Sequence, residues 1–381
     1  MMVVFFFNYL NHHQVLVADE MHRLLGDNFH FVATLPRNEK ELKGGADYSS
    51  RPYCILAGEK KKFHDKAIFY SRVAEVCVFG ACSEEYALER AIKNSNGLSF
   101  EVGERWLKHG LLSLGSKVLR RWLSNYHKYY KDANFYKLCC SAFAAQDDER
   151  MFAYKNRHYK WGYFTNVDEN FSVEAPCPGV STSGTLHTLM WCARFLKWKH
   201  PELPVRLAAR LKAKGYKFVI DMYGSGEELD PTKVLAKQLG VDDVMCFKGN
   251  KPNDEILEAM RHHEIFLFTS DKNEGWGAVA NESMANGCAL VASDAIGSTP
   301  YLVKDGYNGF KFKSCNIDSL VEKVEWLFAH HNECQQMRHN ACSMMKNVWS
   351  PRVAAANLLK LVDNLQHGRD TTIMNGPCSK A

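Results

Sequence analysis

Residues 217–250 read KFVIDMYGSGEELDPTKVLAKQLGVDDVMCFKGN. The apolar run Lys217–Tyr223 ends in a glycine turn. Glu227–Leu239 then carries apolar residues at helical spacing, and Val244–Phe247 is a second short apolar run that also ends in glycine. Strand, helix and strand in this order form a parallel βαβ unit. Its crossover is right-handed and brings the strand C-termini to one edge. The alternation continues on both sides, with strands expected at Thr188–Cys192, Ile265–Thr269 and Ala289–Ser293. The helices expected among them are Pro201–Ala213, Asp254–Arg261, Gly277–Asn286 and Ile317–Phe328.

A looser version of the pattern precedes it. Strands are expected at Val3–Phe7, Phe29–Ala33, Val76–Gly80, Leu98–Val102, Phe135–Cys139 and Trp161–Phe164, with helices such as Val15–Leu25 and Glu84–Lys93. Between the two sets, Pro176–Leu186 is rich in Pro, Gly, Ser and Thr and reads as a linker. The chain has 381 residues, which fits two α/β domains at roughly 150 residues each. The expected division is 1–166 and 167–349. Ser350 as a cap and Pro351 at the first helical position then open a helix to residue 367. The tail 368–381 is expected to be disordered.

Composition narrows the function. With 46% hydrophobic and 24% charged residues the chain is globular, and a net charge of +5 suits a phosphate-bearing ligand without pointing to nucleic acid. Thirteen cysteines without a C-x-x-C pair suggest neither a disulfide framework nor a structural metal, and fit a reducing, cytoplasmic setting. The opening MMVVFFF lacks a basic leader and reads as a first strand, and no apolar run reaches the roughly 18 residues of a membrane span.

The turns after the strands of the second set matter most, because ligands of open α/β sheets sit at that edge. Arg194, Lys197 and Lys199 come after the first strand; Gly224 and Gly226 after the second; Lys248 and Gly249 after the third. After the fourth comes 270–287, SDKNEGWGAVANESMANG, with Glu274 and Glu282 on either side of Gly275, Trp276 and Gly277. Glycines before a helix start leave backbone N–H groups free to meet an anion, and a carboxylate on each flank can bind hydroxyl-rich groups. A sugar on one side of a diphosphate and a ribose on the other is the outline of a nucleotide-sugar. The Gly224–Gly226 turn lacks the third glycine of a dinucleotide fingerprint, since Leu229 stands there.

The element Glu274…Glu282, followed by SMANGCALVAS and DGYNGFKF and preceded by ARFLKWKHPE, resembles the retaining glycosyltransferases of group 1 (glycosyltransferase family 4) over roughly Leu189–Phe312. In the first half NYLNHHQ, FEVGER and YKWGYF look like the capsular or exopolysaccharide-assembly branch. The resemblance implies the GT-B fold, with two Rossmann-like domains facing each other across a cleft and a C-terminal helix crossing back to the first. It implies a hexosyltransferase that moves a sugar with retention from a nucleotide-sugar to a saccharide or lipid-linked saccharide, with no cofactor and no metal. By position it assigns the diphosphate to Arg194 and Lys199, the donor sugar to Glu274 and the ribose to Glu282. It also implies a catalytic histidine in the first domain, for which His12 and His13, after the first strand, are the candidates. Where the family often has GG-x-x-E, this chain has IGSTPYL.

Ser116–Lys131, SKVLRRWLSNYHKYYK, is basic and aromatic and reads equally as an anionic-membrane contact or a packed helix. The competing functions are a GT-B epimerase or phosphorylase, and a nucleotide-sugar-binding module without transfer activity.

Overall fold

A computed structural model of the chain describes residues 1–36, 48–173 and 186–381. The expected linker, apart from Leu186, lies outside the described residues. The chain divides into two compact units, Met1–Thr165 with Val348–Ala381, and Asn166–Asn347. Both are Rossmann-like, with a wholly parallel sheet in each.

In the first unit the strands are β1 (Val3–Phe7), β2 (Phe29–Ala33), β3 (Cys54–Leu56), β4 (Val76–Phe79), β5 (Leu98–Gly103), β6 (Phe135–Cys139) and β7 (His158–Lys160). They lie in the order β3-β2-β1-β4-β5-β6-β7. β1 reads VVFFF and every residue is buried, which is the signature of a central parallel strand covered on both faces. The helices are α1 (Val15–Leu25), α2 (Lys61–Val73), α3 (Glu84–Lys93), α4 (Lys117–Asn125) and α5 (Ala144–Arg150). The last strand is His158–Lys160, not the expected Trp161–Phe164. Trp161 and Phe164 instead pack edge to face, with ring centroids 4.9 Å apart.

In the second unit the strands are β8 (His187–Cys192), β9 (Phe218–Tyr223), β10 (Met245–Gly249), β11 (Ile265–Phe268), β12 (Ala289–Ser293) and β13 (Gly309–Phe312). Their order is β10-β9-β8-β11-β12-β13. The helices are α6 (Glu202–Ala213), α7 (Leu229–Gln238), α8 (Asn253–Arg261), α9 (Val279–Ala285), α10 (Thr299–Leu302), α11 (Ile317–Ala329) and α12 (His331–Asn347). Leu189, Ile220, Ile265, Leu267, Val291 and Phe312 from the sheet meet Leu207, Leu211, Leu320, Val324 and Met337 from the helices to form its core.

α13 (Pro351–Gln366) belongs to the first unit and packs against α1. The Ser350 hydroxyl accepts a hydrogen bond from the Val353 N–H at 3.3 Å, a cap of the kind typically worth about 1 kcal/mol. The tail from Gly368 is not disordered. Cys378 donates its N–H to the Lys160 carbonyl (2.7 Å), Lys160 donates to the Ser379 carbonyl (2.8 Å), and Tyr159 forms an antiparallel bridge with Lys380. β7 is an edge strand with unpaired backbone groups, and the tail supplies their partners. Among the described residues no helix is long and apolar enough to cross a membrane.

Candidate active site

In the second sheet β8 continues to β9 and β10 on one side, while β11 starts the other side. Strand order therefore reverses between β8 and β11, the position at which open α/β sheets take their ligands. The loop after β8 carries Arg194 and Lys199, and the loop after β11 carries Glu274.

The two loops are tied together. Trp191 on β8 donates its indole N–H to Thr269 Oγ1 (2.9 Å), and that hydroxyl donates to the Lys199 carbonyl (2.7 Å). Asp271 donates its N–H to the Trp198 carbonyl at 3.0 Å. These bonds bring Lys199 Nζ onto Glu274 Oε2, which also accepts from the Ser270 hydroxyl at 3.0 Å. Both partners are buried, Lys199 at 9% exposure and Glu274 at 8%, and the ammonium sits 4.3 Å from the Trp198 ring centre.

Arg194 stands differently. It is exposed and makes no side-chain hydrogen bond or ion pair with any described residue. Its loop is shaped by the turn after β9. Gly224 and Gly226 have φ of 123° and 149°, and a Cβ on them would lie 2.0 Å from the Ala193 carbonyl oxygen and 2.4 Å from that of Phe195. Phe195 donates its N–H to the Ser225 carbonyl at 2.8 Å, closing the contact. These glycines are needed so that the turn can seat the arginine loop.

Gly277, with φ of 77°, lets the chain pass Phe268, whose ring a Cβ would meet at 2.3 Å. α9 begins at Val279, two residues later than expected, so Glu282 is its fourth residue. The Glu282 carboxyl has no hydrogen-bonding or charged partner among the described residues, and burial pushes it up to about 7. It faces the end of β8, since burial and then the Glu282 charge raise the Cys192 thiol to about 12. Removing that uncompensated charge has a clear consequence. Below the unfolded value of 4.5 both states are protonated. Between there and about 7 the folded state holds a proton the unfolded state has released, so stability falls as pH rises. Glu282→Gln is therefore expected to stabilise the unliganded protein by about 3 kcal/mol at pH 8 and by almost nothing well below pH 4.5, measured by urea unfolding at both pH values.

Some expected site residues sit elsewhere. Trp276 is fully buried; its indole N–H donates to Asn281 Oδ1 (2.8 Å) and its carbonyl accepts from the Ser298 hydroxyl (2.5 Å). Its ring is an internal brace because the turn points it into the core, so it does not line a ligand surface. Lys248 forms an ion pair with Asp221 at 3.3 Å and is drawn away from the rim; Asp221 also faces His263 Nε2 at 3.4 Å. Gly249, with φ of 68°, accepts a hydrogen bond from the Gly224 N–H at 2.9 Å and so supports the same turn. Gly275 is buried between Glu274 and Trp276. The IGSTPYL segment props the Glu274 loop: Gly297 donates its N–H to the Glu274 carbonyl at 3.4 Å, beside the Ser298 bond. Ser270 and Asn281, which the sequence pattern did not single out, hold the loop from inside. Only their position within the quoted stretch signalled them.

His12 and His13 belong to the first unit, beyond β1 where its strand order reverses between β1 and β4. His13 stacks on Tyr163 with ring centroids 5.1 Å apart, and its Nδ1 is buried without a hydrogen-bond partner. Burial, with the neighbouring His12 second, lowers its pKa to about 4 and keeps the ring neutral. The His12 ring, 3.8 Å from that of His13, is exposed at its outer side, and burial lowers its pKa too.

Over 185 residues the chain is 26% identical to the UDP-N-acetylglucosamine–peptide N-acetylglucosaminyltransferase GtfA subunit of Streptococcus gordonii, covering 46% of this chain and 36% of that one. Over 150 residues it is 31% identical to D-inositol 3-phosphate glycosyltransferase of Corynebacterium aurimucosum, covering 37% and 35%. The chain thus spans about a third of the length of these curated relatives. The crystal structure of Anabaena Alr3699/HepE in complex with UDP shares the fold with a TM-score of 0.66 at 12% identity, covering 95% of this chain and 100% of that one. Residues 183–344, which carry the loops after β8 and β11, match the family model of Glycosyl transferases group 1, and the two parallel-sheet units match GT-B glycosyltransferase structures in fold.

Proposed function

We propose that the protein is a retaining glycosyltransferase that moves a hexose from a UDP-sugar to a saccharide acceptor, free or lipid-linked, in surface polysaccharide assembly. The observation that carries this reading is the buried Lys199–Glu274 pair joining the loops after β8 and β11 at the switch point, with Arg194 exposed on the same β8 loop and Glu282 facing the end of β8. The choice of uridine rests on the S. gordonii relative and on the UDP in the Anabaena structure.

In this reading Arg194 and Lys199 hold the diphosphate, the backbone at Gly275–Gly277 lies along it, Glu274 receives sugar hydroxyls and Glu282 the ribose. As the anomeric C–O bond breaks, its electron pair leaves with the diphosphate. The two cations meet that growing charge in place before it develops, so little reorganisation is needed. The acceptor belongs to the first unit, where a cavity of about 430 Å³ opens beyond β4 and β5. Trp106 lines it with an aromatic ring and Glu104 with a carboxylate.

Membrane contact rests on a different patch than the aromatic stripe suggested. Trp122, Tyr126 and Tyr130 are buried in the first unit's core, while Leu111, Leu112 and Val118 are exposed (74%, 86% and 66%) beside exposed Lys117 and Arg120. Salt-sensitive flotation with anionic liposomes is expected, and its absence would remove this part of the reading.

The main test is a thermal-shift screen with UDP, UDP-sugars, GDP-sugars and ADP-sugars. At 100 times its dissociation constant a ligand adds about 2.7 kcal/mol to stability. UDP species are expected to raise Tm, and NMR of the transferred sugar is expected to show retained configuration. No shift with any nucleotide-sugar would end the proposal.

A further inference from the structure

At the opposite, amino-terminal edge of the second sheet, three side chains distant in sequence come together. His187 opens β8, Glu264 stands directly before β11, and His331 opens α12. One ligand atom from each lies within 4.8 Å of the others.

His187 Nδ1 is 3.1 Å from Glu264 Oε2, and its ring is fixed by stacking on Phe328, with centroids 3.9 Å apart and planes 7° from parallel. His331 Nδ1 is 3.7 Å from Glu264 Oε1, too far for a hydrogen bond, and is buried with no other partner. A carboxylate paired with one imidazole accounts for His187 but leaves the His331 nitrogen unexplained. Glu264 is held from behind: its N–H donates to the Thr188 carbonyl at 3.0 Å and Gln335 Nε2 donates to Oε1 at 3.4 Å. Arg338 is a cation close enough to Glu264 to oppose another cation here. Its guanidinium is engaged elsewhere, donating to the Gly287 carbonyl (2.7 Å) and to Gln335 Oε1 (2.9 Å).

Two imidazoles and one carboxylate form a common three-residue ligand set for zinc, with the fourth position left to water. For metal–ligand bonds of about 2.1 Å, the edges of the tetrahedron are about 3.4 Å. His187 Nδ1 faces Glu264 Oε2 at 3.1 Å and His331 Nδ1 faces the other oxygen, Oε1, at 3.7 Å, and one ligand atom from each residue lies within 4.8 Å of the others, so small side-chain rotations bring the three to that spacing.

We propose that His187, Glu264 and His331 form a zinc-class divalent metal site that ties the start of α12 to the sheet. It lies at the sheet edge away from the Glu274 loop, so its role is structural and it does not depend on the proposed transferase activity. Sequence spacing could not reveal it, because the three ligands are separated by 77 and 67 positions and meet only through the parallel register of β8 and β11.

The test uses the full chain, stripped with chelator, kept reduced and titrated with Zn²⁺ by calorimetry. One equivalent is expected to bind and raise Tm, with Mg²⁺ giving no such effect. X-ray absorption is expected to show nitrogen and oxygen ligands without sulfur. His331→Gln, at a half-buried position, is expected to keep the metal-free Tm and to bind zinc at least about tenfold more weakly, since loss of a ligand costs no less than loss of an outer partner. If that variant does not fold, Glu264→Gln gives the same reading. No saturable zinc binding, unchanged binding in both variants, or sulfur ligation by the cysteines would overturn the proposal.

Discussion

Lys199→Met is expected to lower the stability of the second unit by about 3–5 kcal/mol, the usual cost of leaving one member of a buried ion pair alone. Glu274 would keep only the Ser270 hydroxyl at 3.0 Å, with a carboxylate 8% exposed and no cation on it. Since the pair also stands at the proposed diphosphate site, loss of activity in the single variant would not separate folding from function. The double variant Lys199→Met with Glu274→Gln does separate them. Replacing both charges by neutral groups of similar size is often nearly neutral for stability, so the double variant should recover most of the loss while remaining inactive. Scanning calorimetry, which resolves two units that unfold separately, is the measurement. If the single variant unfolds with the wild-type protein, the buried pair is not holding these loops together.

Arg194→Ala is expected to give the opposite separation. The side chain is exposed and bonded to no described residue, so its removal should change stability by less than about 0.5 kcal/mol. In the proposed reaction it meets charge on the departing diphosphate. By analogy with lost oxyanion donors, its removal should raise the barrier by about 2–4 kcal/mol, roughly 30- to 1,000-fold in rate. Steady-state transfer assays with the donor found by thermal shift check this, and unchanged turnover would remove Arg194 from the role.

Much of the fold was legible because buried parallel strands write themselves as short apolar runs. VVFFF, FHFVA and ALVAS stand as strands over the residues their composition marks. The elements that escaped lack that signal. β3 has three residues, of which only Ile55 is both apolar and buried. α12, HNECQQMRHNACSMMKN, builds its inner face from cysteine, methionine and alanine, which is a faint apolar pattern. The tail escaped for another reason: its order comes from an edge strand more than 200 positions away, which no local pattern encodes.

The site was partly legible for the same reasons. Glycines and charges after strand ends are local, and they pointed to the loops in which Lys199 pairs with Glu274 and Glu282 is buried. The direction a side chain takes is not local. Trp276 turned inward and Lys248 turned to Asp221, because the core and a neighbouring carboxylate offered them better partners. Nor could spacing tell that Gly224 and Gly226 lie against the backbone of the arginine loop.

That last arrangement bears on how decayed relatives should be recognised. An inventory of charged residues would score a chain as competent whenever the arginine persists. Yet the posture of that arginine is set by two missing methyl groups some thirty positions downstream. A homologue that gained a β-carbon at either place would keep its cation and lose the perch beneath it, and would pass every test of composition with its arginine loop displaced.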